Sequence, residues 1–403
     1  MNTSLGTAWD SVFEYVVRRV ALLRNARKRL AEQDAAKGKR AFDENQFDEA
    51  TRWYSSAVSL DSGNFQHLLS LGQAYYFQER YDEAENCFRR ILNLNFNHRD
   101  AISWLGYTLH TLSFNKQSPA LRNEAIYWYF RSLEISNLDV KIHSNLIVAL
   151  YDNERYEDAI SAGERALDLS LDDGMLRLYL AYAYYIMGNI ETATVHSRRA
   201  LELNPNSAAV HRLLGDLART REDYGVAGEY FQKAVELDSK DMHALLQLGI
   251  VHWKLGRTAE FLKESQRARV LAQANSDSEN LKLAYWNEGW AHYILGNWRE
   301  SIQASENALE IDDKVATLHF NLGLALLHVG ESTRARFEYD RGLGLNDVGA
   351  LTGEAIPELQ EALAKSPDLD LAAATEILNQ LQEHYARTTQ ELHDKALARG
   401  QTK

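Results

Sequence analysis

The chain has 403 residues, of which 45% are hydrophobic and 25% charged, and its formal net charge at pH 7 is −13. This acidic balance argues against a nucleic-acid-binding surface, because phosphate backbones bind to positively charged surfaces. A single cysteine, Cys87, excludes an intramolecular disulfide framework and a cysteine-rich zinc cluster, and we expect this residue to be buried in a helix beside Phe88.

The first predicted element is a basic amphipathic helix over residues 1–30. Residues 1–40 carry nine Lys and Arg against four Asp and Glu, a local charge of +5, so the rest of the chain carries −18. Apolar residues recur at helical spacing in this segment: Trp9, Val12, Phe13, Val16, Val17, Val20 and Leu23. Two interpretations stay open. The helix caps the end of the fold that follows, which we favour, or it docks on a membrane surface or a partner.

The N-terminal segment does not have the form of a secretory signal peptide, because its arginines follow the apolar residues instead of preceding them. No stretch of the chain approaches the ~20 consecutive apolar residues of a membrane-spanning helix. We therefore expect a cytoplasmic protein.

After residue 30 the sequence repeats with a period of 34 residues. Seven glycines have successive spacings of 34, 34, 109, 34, 40 and 34: Gly38, Gly72, Gly106, Gly215, Gly249, Gly289 and Gly323. An alanine series keeps the same period and deviates from it at the same places: Ala50, Ala84, Ala125, Ala159, Ala193, Ala227 and Ala335. Two markers that shift together indicate one repeated structural unit with two insertions, of seven and six residues.

The period and its side chains resemble the tetratricopeptide repeat (TPR) family, whose unit is a helix–turn–helix of 34 residues. The unit near Met175 shows the pattern well: Leu180, Tyr184, Gly188, Ala193, Ala200, then Leu203-Asn204-Pro205. Nine units fit residues 31–349: 31–64, 65–98, 99–139, 140–173, 174–207, 208–241, 242–275, 282–315 and 316–349. The resemblance implies an all-α fold, a right-handed superhelical solenoid of about nine repeats with N- and C-terminal capping helices, because a helical hairpin cannot bury its apolar face alone.

The two insertions are predicted to be loops. The first lies near Ser113–Pro119, between the two helices of the third unit, and the second is Ser276–Leu281, between units seven and eight. Both segments are polar, which is typical of loops. Each is either a recognition loop or neutral variation in length, and we favour the second because long surface loops cost little free energy.

Residues 350–403 are predicted to form C-terminal helices. We expect Pro357 to begin a short helix that ends near Lys365, and Ser366-Pro367 to begin a long helix. Four glycines are expected to interrupt the chain before them: Gly342, Gly344, Gly349 and Gly353. The long helix carries an apolar stripe: Leu371, Ile377, Leu378, Leu381, Tyr385 and Leu392. The stripe packs on the last repeat, which we favour, or provides a surface for self-association.

In the family, the first helix of each unit lines a concave groove, so the resemblance implies which residues face a partner. Many of them are aromatic, as is typical of binding anchors, and we expect about half to pack on neighbouring units: Tyr76, Phe77, Trp104, Tyr107, Tyr151, Tyr179, Tyr182, Tyr185, Trp253, Trp286, Trp290, Tyr293 and Phe320. Asn145, Asn287 and Asn321 share the position at which some TPR proteins bind a peptide backbone through an amide.

The predicted partner-binding residues are therefore Asn145, Asn287, Asn321, Tyr107, Tyr179, Tyr182, Trp253, Trp286, Trp290 and Tyr293. A receptor for chaperone C-termini is disfavoured. Lys39 and Lys141 are present, but the companion residues that hold a terminal carboxylate in heat-shock co-chaperones are absent.

No catalytic motif is present: the sequence has no HExxH, no paired CxxC, no Walker-type loop and no serine elbow. His252 and His292 stand where the repeat often has tyrosine, so packing explains them better than metal binding. We predict that the protein is not an enzyme and needs no cofactor or metal.

The predicted function is a non-catalytic scaffold or adaptor that binds peptide or helical segments of partner proteins in its groove, as a subunit of a larger assembly. The alternative is a membrane-associated scaffold or assembly factor of a secretion, pilus or motility machine, anchored through residues 1–30. A third possibility, an enzyme or its regulatory subunit, has no motif in its favour.

Overall fold

The computed structural model describes the backbone of residues 3–366 and 369–400, and the side chains of residues 15–366 and 369–391. Within these ranges every regular element is a helix and there is no strand, which confirms the all-α repeat fold. Some of the residues singled out in the sequence lie outside the described side chains: Trp9, Val12, Phe13, Pro367 and Leu392.

The chain divides into two compact units, Met1–Asn204 and Pro205–Lys403. Helices in the first unit pack in consecutive pairs, so that each predicted repeat contains one helical hairpin. They are α1 (Thr3–Asp43), α2 (Phe47–Leu60), α3 (Phe65–Phe77), α4 (Tyr81–Leu94), α5 (Arg99–Asn115), α6 (Pro119–Ile135), α7 (Val140–Asp152), α8 (Tyr156–Asp168), α9 (Gly174–Ile186) and α10 (Ile190–Leu203).

The second unit continues the pattern with four further hairpins and then C-terminal helices. The hairpins are α11 (Ala208–Thr220) with α12 (Tyr224–Leu237), α13 (Met242–Lys254) with α14 (Thr258–Ala274), α15 (Ser278–Ile294) with α16 (Trp298–Ile311), and α17 (Ala316–His328) with α18 (Ser332–Gly344). The chain then forms α19 (Val348–Ala350), a π-helical turn (Leu351–Ala355), α20 (Ile356–Lys365) and α21 (Leu371–Gly400).

A short turn closes each hairpin, and its geometry is local. Between α3 and α4, Glu79 has a φ of 62°, and the backbone N–H of Arg80 donates to the carbonyl of Tyr75 at 2.9 Å. This i→i−5 bond and the left-handed residue before it form a Schellman cap, which satisfies a carbonyl at the end of the first helix. Gly188 holds the same left-handed position after α9, with a φ of 76°.

The periodic glycines lie where a side chain of the second helix crosses the first. A Cβ built on Gly72 would lie 2.6 Å from Cε1 of Phe88, and one built on Gly215 would lie 2.7 Å from Cδ1 of Phe231. Each ring belongs to the residue sixteen positions after the glycine. The ring occupies the volume that any other residue would need, so the glycine is required for close packing of the two helices.

The fourth hairpin reverses this arrangement. Ile147 replaces the glycine of the first helix, and Gly163 stands sixteen residues later, where other units have the ring. A Cβ on Gly163 would lie 3.4 Å from Cδ1 of Ile147 and 2.9 Å from Cδ1 of Leu180. Large and small residues have exchanged helices at this crossing.

The two insertions are not loops, and this prediction was wrong. In the third unit α5 and α6 have 17 residues each, and only three residues, 116–118, separate them. In the seventh and eighth units α14 and α15 also have 17 residues each and are joined by residues 275–277. The extra residues add about one turn to each helix of a facing pair, so both partners lengthen together and their contact continues along the added turns.

The C-terminal segment also differs from its prediction. Gly342 and Gly344 lie inside α18, and Gly349 and Gly353 lie in a helical stretch that runs without interruption from α19 through α20. A π-helical turn at Leu351–Ala355 precedes Pro357 in this stretch. Proline has no N–H to donate and crowds the carbonyl four residues earlier, which accounts for a local departure from α-helical bonding.

The cap of α21 is Asp370 and not Ser366, contrary to the sequence prediction. Ser366 ends α20, and the Asp370 carboxylate accepts a hydrogen bond from the backbone N–H of Ala373 at 3.1 Å. Ala374, Ile377 and Leu381 of α21 are buried with α18 in one hydrophobic cluster, so much of the apolar stripe packs on the last hairpin. Leu371 remains 53% exposed.

The N-terminal helix continues without a break into the first repeat. Its residues from Ala31 onward pack on α2, where Asp34 accepts a hydrogen bond from Ser56 Oγ at 2.7 Å. Residues 15–30 are all exposed, including Val20 at 58% and Leu23 at 62%, and Arg27 Nη2 donates a hydrogen bond to the Ser59 carbonyl of α2 at 3.2 Å. The capping role of residues 1–30 stays a prediction.

Replacement of Gly215 by alanine should destabilise its hairpin by about 1–3 kcal/mol, because the added Cβ overlaps the Phe231 ring. Gly249→Ala is the matched control. Its Cβ would meet its nearest neighbour at 3.5 Å, an ordinary contact, and alanine favours the helix by up to about 1 kcal/mol over glycine. Thermal unfolding followed by circular dichroism should give a lower midpoint than the wild type for Gly215→Ala but not for Gly249→Ala. Equal losses in both variants would refute the packing argument.

Candidate functional site

A cavity of about 950 Å³ lies within the second compact unit. Its first wall consists of side chains from α13, α15 and α17, the first helices of three consecutive hairpins. Its second wall is supplied by the π-helical turn and α20, between Gly353 and Ser366. Both kinds of element are fixed by packing, since each hairpin repeats the same helix crossing and α20 is anchored in the core of the last one.

The first wall is mainly aromatic. Trp290 and Tyr293 stack with their ring centroids 5.1 Å apart and a 9° angle between planes, and Trp253 meets Trp290 edge to face at 6.4 Å. Tyr293 also contacts Trp298, at 5.2 Å. Trp286 completes the lining. Rings that support one another in this way present large, rigid surfaces to the cavity.

The second wall is acidic because of the way α20 packs. Ala355, Leu359 and Ala362 are buried in the cluster formed with α17 and α18. Each is preceded by a glutamate, so Glu354, Glu358 and Glu361 form a parallel row that faces the cavity. Lys365 Nζ donates to Glu361 Oε1 at 2.7 Å and lies at the exposed end of this row.

The acidic row changes the protonation of its central residue. Burial raises the pKa of Glu358 to about 8, and the neighbouring charges of Glu354 and Glu361 act in the same direction. On the opposite wall, burial and the charges of Glu358 and Glu361 raise the pKa of the Tyr293 hydroxyl. The cavity therefore disfavours further negative charge.

Asn321 lies at the deep side of the cavity, on α17. Its side chain is 8% exposed, and its Oδ1 has no hydrogen-bond partner among the residues that the structure describes. Glu354 Oε2 is likewise buried without a partner in that part of the chain. A buried acceptor without a donor is unfavourable by about 1–3 kcal/mol, so both oxygens are poised to accept hydrogen bonds from a ligand.

Over the described ranges, no three His, Cys, Asp or Glu side chains are grouped in a way that could hold a metal ion. No helix in the described part of the chain is both long and apolar enough to cross a membrane. Cys87 is buried, and burial raises the pKa of its thiol to about 11, which makes it a poor nucleophile.

Two family models, each described as Tetratricopeptide repeat, match this chain. One covers residues 68–98, and the other covers residues 144–194, 196–242 and 287–346. Type IV pilus assembly protein PilF of Pseudomonas aeruginosa is 35% identical over 202 residues, which are 49% of this chain and 75% of PilF. The chain belongs to the tetratricopeptide repeat family.

The chain is also similar to proteins at lower sequence identity. The human Protein O-mannosyl-transferase TMTC1 is 26% identical over 48% of this chain, which spans only 22% of the length of that relative. Among solved structures, a chain of the crystal structure of the APC/C hetero-tetramer Cut9–Hcn1 is similar, at 18% identity and a TM-score of 0.46. The alignment covers 83% of this chain and 59% of that chain.

The structure brings six of the ten predicted partner-binding residues of this TPR chain to one cavity: Trp253, Trp286, Asn287, Trp290, Tyr293 and Asn321. Whether they bind a partner stays a prediction. Of the wider aromatic set, Phe320 does not face the groove. It is 1% exposed and stacks on Tyr339, with ring centroids 5.7 Å apart.

The other four predicted residues lie in the first compact unit and contact other side chains there. Asn145 Nδ2 donates to the Lys141 carbonyl at 2.8 Å, and its side chain is hydrogen-bonded to Tyr107. Tyr179 and Tyr182 contact each other at 5.9 Å, and both contact Tyr151. Their rings are partly used in packing, as we expected for about half of the set.

Sequence reasoning missed the acidic wall. Glu354, Glu358 and Glu361 have the i, i+4, i+7 spacing that places three side chains on one helix face, and this signal was available in the sequence. The sequence did not indicate that this face of α20 would lie over the groove, because the repeat pattern ends before α20.

Glu358→Gln should make stability less dependent on pH. The pKa of Glu358 is about 8 in the folded chain against an ordinary value of 4.5, so between these values the folded state holds a proton that the unfolded state has lost. The stability that this proton provides is complete below about pH 4.5 and is lost as the pH rises to about 8.

In denaturant titrations from pH 5 to pH 9, the free energy of unfolding of Glu358→Gln should therefore rise relative to that of the wild type as the pH rises. The expected rise is about 1 kcal/mol or more. Glu383→Gln, which removes an exposed glutamate of α21 outside the cavity, should show no such gain. A constant difference between wild type and Glu358→Gln over this range would contradict the assignment.

Proposed function

We propose that this TPR protein is a non-catalytic scaffold that binds a polypeptide segment of a partner in the cavity of its second compact unit. One observation carries the proposal. Three consecutive first helices and α20 enclose about 950 Å³ lined by Trp253, Trp286, Trp290 and Tyr293. This is the size range and composition of ligand sites in proteins, and large aromatic anchors supply most of the energy in protein interfaces.

The comparisons support the same general role. PilF is named as a pilus assembly protein, and a scaffold that holds other polypeptides is a function consistent with assembly. The transferase activity in the name of the human relative belongs to that protein, of which this chain spans 22%. The sequence of this chain adds no catalytic motif of its own.

The double variant Trp286→Ala plus Trp290→Ala should weaken partner capture by about 1 kcal/mol or more, roughly fivefold in affinity. The measurement is affinity purification from cells with quantitative mass spectrometry, in parallel for wild-type and variant proteins. Phe337→Ala is the control, since this ring is 59% exposed on α18 and is not part of the cavity. If the folded double variant retains its partners at wild-type levels, the cavity is not the binding site.

A second candidate function is attachment to an anionic membrane surface through the N-terminal segment. The observation that favours it is the exposure of all described residues of this segment, from Tyr15 to Leu30. Val16, Val20, Leu23 and Leu30 share one side of α1 at spacings of four, three and seven residues, and basic residues lie between them. Helices of this kind bind at the surface of bilayers.

The double variant Arg24→Glu plus Arg29→Glu should reduce binding to phosphatidylserine-containing liposomes at least tenfold, since each basic residue contributes roughly 1 kcal/mol at such a surface. Arg52→Glu plus Arg90→Glu makes the same change in charge at exposed positions of α2 and α4 and should have little effect. Co-sedimentation is the measurement. Equal losses in the two variants would show only a general effect of net charge.

A further inference from the structure

The cavity has a chemical bias that the proposed function does not explain. Its lining contains three carboxylates and a single cation, Lys365. Lys365 is 72% exposed and pairs with Glu361 at the rim. Neither Glu354 nor Glu358 has a Lys, Arg or His side chain within 4 Å among the residues that the structure describes. The inner part of the acidic wall therefore has no counter-charge within 4 Å in the described part of the chain.

Among the described residues that line the cavity, the two fully buried polar atoms without a hydrogen-bond partner are acceptors. Asn321 Oδ1 and Glu354 Oε2 come from opposite walls, and both are buried. Asn321 is more than nine-tenths buried, so bulk water does not readily replace the missing donor. A ligand that fits must bring N–H donors, and a ligand with only acceptors, such as a carboxylate or a phosphate, would leave these oxygens unpaired.

The aromatic wall favours a cation in the same place. Indole and phenol rings attract positive charge on their faces, most strongly when the pair is desolvated. Trp253 already binds a cation in this way, because Lys254 Nζ lies 4.1 Å from its ring centroid. Trp286, Trp290 and Tyr293 offer further ring surface beside the glutamates.

We propose that the cavity binds an arginine side chain of the partner polypeptide, held between the aromatic wall and the carboxylates of α20. This inference rests on the proposed function and specifies the chemistry of the partner segment. Arginine fits better than lysine for two reasons. Its planar guanidinium stacks on aromatic rings, and its five N–H donors can reach acceptors on two walls at once. A bound guanidinium would also stabilise the ionised form of Glu358.

The test uses the full chain and three acetylated and amidated peptides with the sequence Gly-Ser-Ala-Xaa-Ala-Ser-Gly, in which Xaa is arginine, lysine or citrulline. Citrulline has the shape of arginine without the charge. Isothermal titration calorimetry should show that the arginine peptide binds at least tenfold more tightly than the citrulline peptide and more tightly than the lysine peptide. Equal binding of arginine and citrulline peptides would overturn the proposal, and equal binding of arginine and lysine peptides would overturn the choice of arginine.

Variants locate the binding. Glu354→Gln plus Glu358→Gln keeps the shape of α20 and removes its inner charges, and it should lower the affinity for the arginine peptide at least tenfold. Glu383→Gln and Phe337→Ala, both outside the cavity, should leave it unchanged. Unfolding curves of each variant confirm that the fold is retained. An undiminished affinity in the double Gln variant would refute the site.

The outcomes separate this inference from the proposed function. If the tryptophan double variant loses its cellular partners but no peptide binds, the cavity holds partners by another chemistry and the arginine proposal fails alone. If the partners are also retained by that variant, both proposals fail.

Discussion

The close crossing of two helices inside each hairpin is the contact on which this structure depends. In most hairpins a glycine on the first helix faces a ring on the second, as Gly72 faces Phe88 and Gly323 faces Tyr339 at 2.7 Å from a built Cβ. A small residue still faces a large one where the two exchange helices, as at Ile147 and Gly163. Repetition of one crossing makes consecutive first helices equivalent, and equivalent helices line a common surface.

In the second compact unit that surface forms one wall of a cavity, because the chain turns back over it. The apolar residues of α20 are held in the core of the last hairpin, with Leu359 fully buried. Burial of this row fixes the adjacent glutamates opposite the indole rings. The cavity thus combines two walls of different origin, an aromatic one produced by the repeat and an acidic one produced by the segment that ends it.

The acidic wall is unfavourable for the isolated chain. Burial and like charge raise the pKa of Glu358 to about 8, and Asn321 and Glu354 keep buried oxygens without donors in the described structure. Proteins that place such features in a cavity generally do so at functional sites, where a ligand offsets the unfavourable terms.

The sequence by itself determined the repeat, the hairpins and most of the aromatic wall. A 34-residue period and a glycine at most crossings are consequences of local helix geometry, and they place Trp286, Trp290 and Asn321 on the first helices of their units without any tertiary information. The lengths of four helices, α5, α6, α14 and α15, escaped prediction, because polar residues at Ser113–Pro119 and Ser276–Leu281 fit an exposed helix turn as well as a loop.

Only the tertiary structure decided which groove residues share a cavity. Asn145 and Asn321 occupy the same position in the repeat, yet Asn145 is bonded to its own helix and to Tyr107, while Asn321 is buried with an unpaired oxygen. The difference arises from the elements that pack near each asparagine. Asn321 shares its cavity with α20, which follows the repeats and is not part of the 34-residue period. Local periodicity fixes the direction of a side chain, but its surroundings depend on contacts between residues far apart in the sequence.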